Sequence, residues 1–214
     1  MRRRIYELSK SSMIASGGEK MVFNHPDSDD FLIKVWKPQH FEWLKKRYPL
    51  LTRFRRFPRY ISLLNEVTEY VALSEYCDND SYLQGFHGFV RTDLGPGVVV
   101  EAVRDNEGNL AKSLYQLIGA GEYGDRQRQA VNELVEWLEG NYIIIRDFTL
   151  HNVVWNAISG HFVIIDGIGS RPILSMRQLS TRYNRYTMQK KIAKFLRRLD
   201  VALSACSAES LSVN

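Results

Sequence analysis

"NYIIIRDFTLHNVVWN", residues 141–156, is the stretch on which the reading of this chain turns. It sets Asp147 and Asn152 five positions apart between two apolar runs, and "HFVIIDGIG" (161–169) follows closely with Asp166. The pattern reads as strand, loop, strand, with another short strand leading to Asp166. Polar groups at the ends of buried segments need either turn chemistry or a ligand. As turn chemistry, Asn152 closes a turn and Asp166 makes an Asx turn at a strand end. As ligand chemistry, Asp147 accepts or orients the proton of a hydroxyl, while Asn152 and Asp166 offer oxygen donors to a hard cation such as Mg²⁺. Asp-x-x-x-x-Asn alone does not choose between the two.

Upstream, the pattern is strand-rich. "SSMIASGG" (11–18), "EKMVFNH" (19–25) and "DDFLIKVWKP" (29–38) read as strands, broken by Gly17 and Gly18 and then by the turn residues of "NHPDSDD" (24–30). Two more strands follow at "FHGFVRT" (86–92) and "GVVVEAV" (97–103), joined by a Gly-Pro-Gly turn at 95–97. Between the third and fourth, "RYISLLNEVTEYVALSEY" (59–76) predicts a helix with Ile61, Leu64, Val67 or Thr68, Val71 and Leu73 on its apolar face. "RDNEGN" (104–109) reads as a polar linker between two lobes.

Downstream, "RQRQAVNELVEWLEGN" (126–141) predicts a helix through Val131, Leu134, Val135 and Leu138, with a stop signal at Gly140 and Asn141. "YTMQKKIAKFLRRLDVAL" (186–203) predicts another, with Met188, Ile192, Phe195, Leu196 and Leu199 inward and its Lys/Arg side in solvent. The tail, 204–214, is expected to fray. Five strands interrupted by one helix, then helices around a short β element, describe one α+β domain. Its sheet-rich lobe covers about 10–104 and its helical lobe about 111–203.

Composition sets the limits. At 214 residues the chain can bury a sizeable core, and its 44% apolar and 25% charged residues are those of a globular protein. No apolar run approaches the roughly 20 residues that cross a bilayer. "MRRRIYELSKSSM" has a basic cluster but no apolar region after it, which excludes a secretory signal. Cys77 and Cys206 form neither a metal motif nor a disulfide framework, so the expected compartment is the cytoplasm. The formal charge of +5 is uneven: residues 45–59, "KKRYPLLTRFRRFPR", hold seven basic residues and no acid. Such a segment suits an anionic partner or acceptor, or is a solvated face whose basic stems cover apolar surface. No zinc site, recognition helix or stacking-strand motif points to specific nucleic-acid binding.

The remaining polar groups form an ordered set. "SGGEK" (16–20) lies between two strands and either makes a plain turn or lays backbone N–H groups over phosphates. Lys34 stands in an apolar strand. It points to solvent by alternation, or inward with an anionic partner that justifies burial. Glu66 and Glu69 on the next helix are candidates for that partner. A Gly loop, a strand Lys, a helix Glu and then Asp, Asn and Asp-Gly fall on the elements where phosphoryl transfer needs them.

With "FLIK" (31–34), "IRDFTLHN" (145–152) and "IIDG" (164–167), the sequence resembles the protein-kinase-like superfamily. More narrowly, "NEVTEYVAL" (65–73), "GFVRTDLGPGVVVEAV" (88–103) and "VIIDGIG" (163–169) resemble the small bacterial YrbL family, named for the PhoP regulatory network, over roughly residues 10–200. The resemblance implies a small two-lobed fold with a five-stranded antiparallel N-lobe sheet and an abbreviated helical C-lobe. It implies that ATP binds, with Lys34 on the α/β-phosphates, Gly17 and Gly18 in the phosphate loop, and Glu66 paired with Lys34; Glu69 is the alternative pair. It implies adenine at the "VVVEAV" edge near Glu101 and Val103, Asp147 as base or substrate-orienting group, and Mg²⁺ on Asn152 and Asp166.

Departures from the superfamily pattern are as informative. Ile145 stands where a kinase usually has histidine, Gly167 where an aromatic follows the metal aspartate, and no Ala-Pro-Glu motif follows. The Gly loop is short. These cast doubt on a protein substrate more than on nucleotide binding. Two functions are therefore expected in competition: an ATP-dependent phosphotransferase acting on a hydroxyl, or a pseudokinase that binds nucleotide as a regulatory or interaction module without transfer.

Overall fold

The computed structural model describes residues 4–54, 60–77, 79–169 and 180–212. The chain falls into two compact units. One comprises residues up to Ile61 together with Gln84–Ala102; the other comprises Ser62–Leu83 and the chain from Val103 onward.

The first unit is built on a sheet of six strands: β1 (Ile5–Tyr6), β2 (Met13–Ser16), β3 (Lys20–His25), β4 (Ser28–Trp36), β5 (Phe86–Thr92) and β6 (Gly95–Glu101). Their order is β1-β5-β6-β4-β3-β2. The expectation of five antiparallel strands is corrected here, because β1 pairs in parallel with β5 (Ile5 with Arg91, Tyr6 with Thr92) and makes the sheet mixed. Two residues carry no readable alternation. The strand is held from outside its own sequence, by the N–H of Leu8 donating to Asp93 Oδ1 (2.8 Å) and that of Asp93 donating to Tyr6 O (3.0 Å).

The turn between β5 and β6 is also displaced. Residues 93 and 94 make it, closed by Thr92 Oγ1 donating to Gly95 O at 2.6 Å, and Pro96 and Gly97 belong to β6. Gly95 (φ +114°) is the position that needs glycine. On β4, Ile33 and Val35 pack with Leu8, Phe23 and Val99. The other face carries Lys34, in register with Val22 on β3 and Val98 on β6. Alternation does not expose Lys34, because residues 32–36 are all buried. Residues 38–54, which include the described part of the basic segment, form two short helices, each opened by a proline: α1 (Pro38–Arg47) and α2 (Pro49–Phe54).

The second unit holds most of α3 (Ile61–Tyr76), then α4 (Leu114–Gly119), α5 (Asp125–Gly140), the hairpin β7 (Val153–Asn156) with β8 (His161–Ile164), and α6 (Thr181–Ser212). Its core joins Leu73, Leu114, Leu134, Phe162, Phe195 and Ile145, with Phe148 stacked on Phe195 (centroids 4.0 Å apart). On α3 Ile61 and Leu73 of the expected apolar face are buried, but Leu64 and Val71 are exposed, and Ser62, Leu63, Glu66 and Glu69 are buried in addition. Two carboxylates on the inner face misdirect a hydrophobicity count. α4 was not visible as a helix by periodicity, but Ser113 and Gln116 cap it reciprocally. α5 agrees with expectation, and α6 buries Met188, Ile192, Phe195 and Leu199 as expected. It begins five residues earlier than expected and remains helical to Ser212, across most of the tail expected to fray.

Residues 142–146, read as a strand, make only a single bridge, Ile145 to Ile168. Their backbone groups are satisfied one by one by side chains and a loop rather than by a neighbouring strand. That substitution builds the site.

Candidate functional site

In the first unit, Lys34 is 5% exposed and its Nζ donates to Gln84 Oε1 at 2.5 Å. Gln84 Nε2 in turn donates to the carbonyl of Glu101 at 2.6 Å. One amide therefore ties the strand lysine to the end of β6. An ammonium buried beside valines needs such an acceptor. The Glu101 N–H donates to Gly85 O (2.9 Å), and the Ala102 N–H donates to Asp30 O (2.7 Å), so the edge at 101–102 has little free backbone. Gly17 and Gly18 sit in the β2–β3 turn, where Lys37 Nζ donates to Gly17 O at 2.6 Å. Neither has a positive φ, and no atom lies within 4 Å of where a side chain would start. The fold itself does not require glycine at either position.

In the second unit, three of the expected residues converge. The Asp147 N–H and the Arg146 N–H both donate to Gly167 O (3.3 and 2.5 Å), placing Asp147 beside the residue that follows Asp166. Asn152 Nδ2 donates to Asp147 O at 3.0 Å, and Asn152 O accepts the N–H of Ile165 at 2.9 Å. Asp166 Oδ1 accepts the Gly167 N–H at 2.8 Å. The same residues serve turn chemistry and proximity, so the two explanations of Asp147, Asn152 and Asp166 are not rivals. Spending its amide nitrogen on Asp147 O leaves the Asn152 Oδ1 lone pairs to face a cation. The Asn152 amide oxygen and the Asp166 carboxylate are hard oxygen ligands of the kind Mg²⁺ accepts. Among the described residues no three His, Cys, Asp or Glu side chains cluster for a metal, so this set depends on the Asn152 amide.

Glycines lock the arrangement. Gly167 has φ +82°, and a Cβ there would stand 2.7 Å from Asp147 O. Gly169 has φ +94°, and its Cβ would meet the backbone of Asn65 at 2.9 Å. The segment after Asp166 is thus pressed against both the Asp147 loop and α3. Glu66 is 6% exposed on the inner face of α3. It shares with Asp166 the neighbourhood of Tyr70, whose hydroxyl pKa is pushed up first by burial and then by those two negative charges. Glu69, the alternative partner for Lys34, has another engagement: its Oε2 accepts the Ile144 N–H at 3.1 Å. Val103 packs with Val154 and Val163, and its carbonyl accepts the Ala111 N–H at 2.9 Å.

Three residues of this region carry no recognisable signal in the sequence. Gln84 lies in "SYLQGF" with nothing to mark it. Lys191 lies on the side of α6 read as solvated, yet its Nζ donates to Ile145 O (2.6 Å) and also to Arg146 O. Asn184 Nδ2 donates to Tyr142 O (3.0 Å) and Ile143 O (3.3 Å). Of the basic segment, Lys45, Lys46, Arg47 and Arg53 are exposed, and residues 55–59 lie outside the described residues.

The family model of the PhoP regulatory network protein YrbL matches residues 6–200. The chain belongs to that family. Two relatives named "Uncharacterized protein YrbL", from Escherichia coli (strain K12) and Shigella flexneri, are each 22% identical over 175 residues, 79% of this chain and 76% of theirs. The structure is also similar to that of the protein kinase Rad53 (1–466) in complex with AMP-PNP, with a TM-score of 0.52 and 14% identity. That match covers 91% of this chain and 47% of the other, about half its length. The likeness is one of fold, and the fold is kinase-like. Among the described residues no helix is long and apolar enough to cross a membrane.

Proposed function

We propose that this protein is an ATP-dependent phosphotransferase that moves the γ-phosphoryl group to a hydroxyl of an acceptor. The observation that carries the proposal is the grouping of Asp147, Asn152 and Asp166 through the Asp147–Gly167 and Asn152–Asp147 hydrogen bonds. In the proposed roles, Asp147 orients the acceptor hydroxyl and takes its proton, and Asn152 and Asp166 hold Mg²⁺. The metal would supply charge neutralisation on the phosphate oxygens. Lys34 and the Gly17–Gly18 turn bind phosphates, and Glu66 is the carboxylate assigned to Lys34, since Glu69 already accepts from Ile144. Positioning and electrostatics then do most of the catalysis. Adenine is assigned to the chain near Glu101 and Val103, where Val103 retains a backbone N–H.

The competing reading, a nucleotide-binding pseudokinase of the PhoP-linked network, draws on the departures at Ile145 and Gly167 from the superfamily pattern. The test separates them. ATP is titrated with and without Mg²⁺ against thermal stability, and ATP turnover is then measured on the same protein. A metal-dependent rise of a few degrees at saturation is expected from mass action. Turnover abolished by Asp147→Ala, with the ATP shift retained, is the expected outcome. Stabilisation without turnover selects the pseudokinase, and no stabilisation overturns both.

A further inference from the structure

A cavity of about 330 Å³ lies wholly within the second unit, walled mainly by Ala72, Leu73, Cys77, Tyr142 and Ile143, with Asn141 and Thr181 as its neutral polar residues and Glu69 as its one carboxylate. Glu69 is 6% exposed. Its Oε2 takes the Ile144 N–H, and no other donor among the described residues reaches it, so Oε1 is left to whatever enters the cavity. A single neutral N–H returns little of what it costs to place a carboxylate against apolar walls. Were Ile144 the only reason for an acceptor here, an amide would serve without that cost. The ionisable group is therefore explained by an occupant rather than by the fold.

The occupant follows from charge and shape. An anion is repelled by the carboxylate. A neutral apolar molecule fills the space but leaves Oε1 unmet. A cation with an apolar body satisfies both, and the volume is at the small end of ligand sites. We propose that this cavity binds a small amphipathic amine, its ammonium paired with Glu69 Oε1 and its apolar body against Ala72, Leu73 and Ile143. The ligand would bridge α3, one turn beyond Glu66, to the segment 141–144 that leads into Asp147. The proposal is independent of the phosphotransferase reading.

The test uses three probes of like shape, phenethylamine, phenethyl alcohol and 3-phenylpropionate, titrated into the full chain by calorimetry at pH 8. The amine is expected to bind at least about tenfold more tightly than the alcohol, equivalent to about 1.4 kcal/mol, and the acid not at all. Because burial raises the Glu69 pKa to about 7, the amine's affinity falls steeply below that pH while the alcohol's stays flat. Glu69→Gln removes the amine's advantage and keeps the alcohol. The amine also slows alkylation of Cys77 and leaves Cys206, whose thiol donates to the Ile118 carbonyl away from the cavity, unaffected. Equal affinities for amine and alcohol, an amine preference that survives Glu69→Gln, an unprotected Cys77 or no binding at millimolar probe each overturns the proposal. The pH profile and the Cys77 protection use the unaltered protein, so the conclusion does not hinge on how the variant folds.

Discussion

Glu69→Gln should make the protein more stable at pH 8 and leave it nearly unchanged at pH 4.5. Burial lifts the Glu69 carboxyl from 4.5 to about 7, and the Ile144 N–H, which favours the ionised form, offsets only part of that. Below pH 4.5 the carboxyl is protonated in both folded and unfolded chains, and the stability of the protonated form is fully present. Between 4.5 and about 7 the unfolded chain releases a proton that the folded one keeps, so stability falls as pH rises. Above about 7 both are ionised and the loss levels off. A rise of about 2.5 pH units at 1.36 kcal/mol each gives a total near 3 kcal/mol. Glutamine keeps an acceptor for the Ile144 N–H and has nothing to titrate. Thermal melts of both proteins at pH 4.5, 6, 7 and 8, at matched ionic strength and without ligand, read the difference directly. At about 2–4 °C per kcal/mol for a chain of this size, the variant's advantage should grow by about 6–12 °C from the acid end to pH 8. A difference that stays constant with pH, or that shrinks as pH rises, would refute the reasoning.

Gly167→Ala should cost about 1–3 kcal/mol from the positive φ alone, and more from the contact with Asp147 O. A lowered melting temperature with turnover lost out of proportion to the folded fraction is the expected pair of results. Lys191→Met strips the ammonium from the carbonyls of Ile145 and Arg146. A loss of about 2 kcal/mol is expected, since hydrogen bonds to charged groups contribute about 1.5–3, with faster amide exchange over residues 145–152. Gln84→Leu deprives Lys34 of its 2.5 Å acceptor and should destabilise the protein by about 2 kcal/mol. Denaturant titration checks it; no change in midpoint would mean that the amide does not hold the lysine.

The sequence revealed elements wherever one face alternated cleanly. β2 to β6, α5 and the buried face of α6 were legible because apolar side chains and turn residues reported their own environment. β1 was not, since two residues paired through Asp93 carry no period. α3 was legible as a helix but only in part in its facing, since Ile61 and Leu73 are buried as read. Glu66 and Glu69 occupy inner positions that a hydrophobic count assigns to solvent, and Leu64 and Val71 take their place outside. The inward carboxylates that hid the face are the same groups that mark the helix as more than scaffold.

Residues 142–146 failed as a strand for a related reason, whereas Val153–Asn156 formed one as read. An extended segment in a sheet has its polar backbone met by another strand, a pattern that apolar alternation signals. Here Ile144 is met by Glu69 and Gly169, Ile145 and Arg146 by Lys191, and Asp147 by Gly167. The partners come from α3, α6 and the loop at 167–169, all distant in sequence, so no local pattern foretells them. Ile145 itself fits this scheme. Its side chain is fully buried in the core, where a polar ring would need a partner, and the ordering of the loop passes instead to its carbonyl and the Lys191 ammonium. Replacing histidine by isoleucine at that position thus need not loosen the loop, provided that α6 supplies the lysine. The departure from the kinase pattern and Lys191 on α6 are then two parts of one solution.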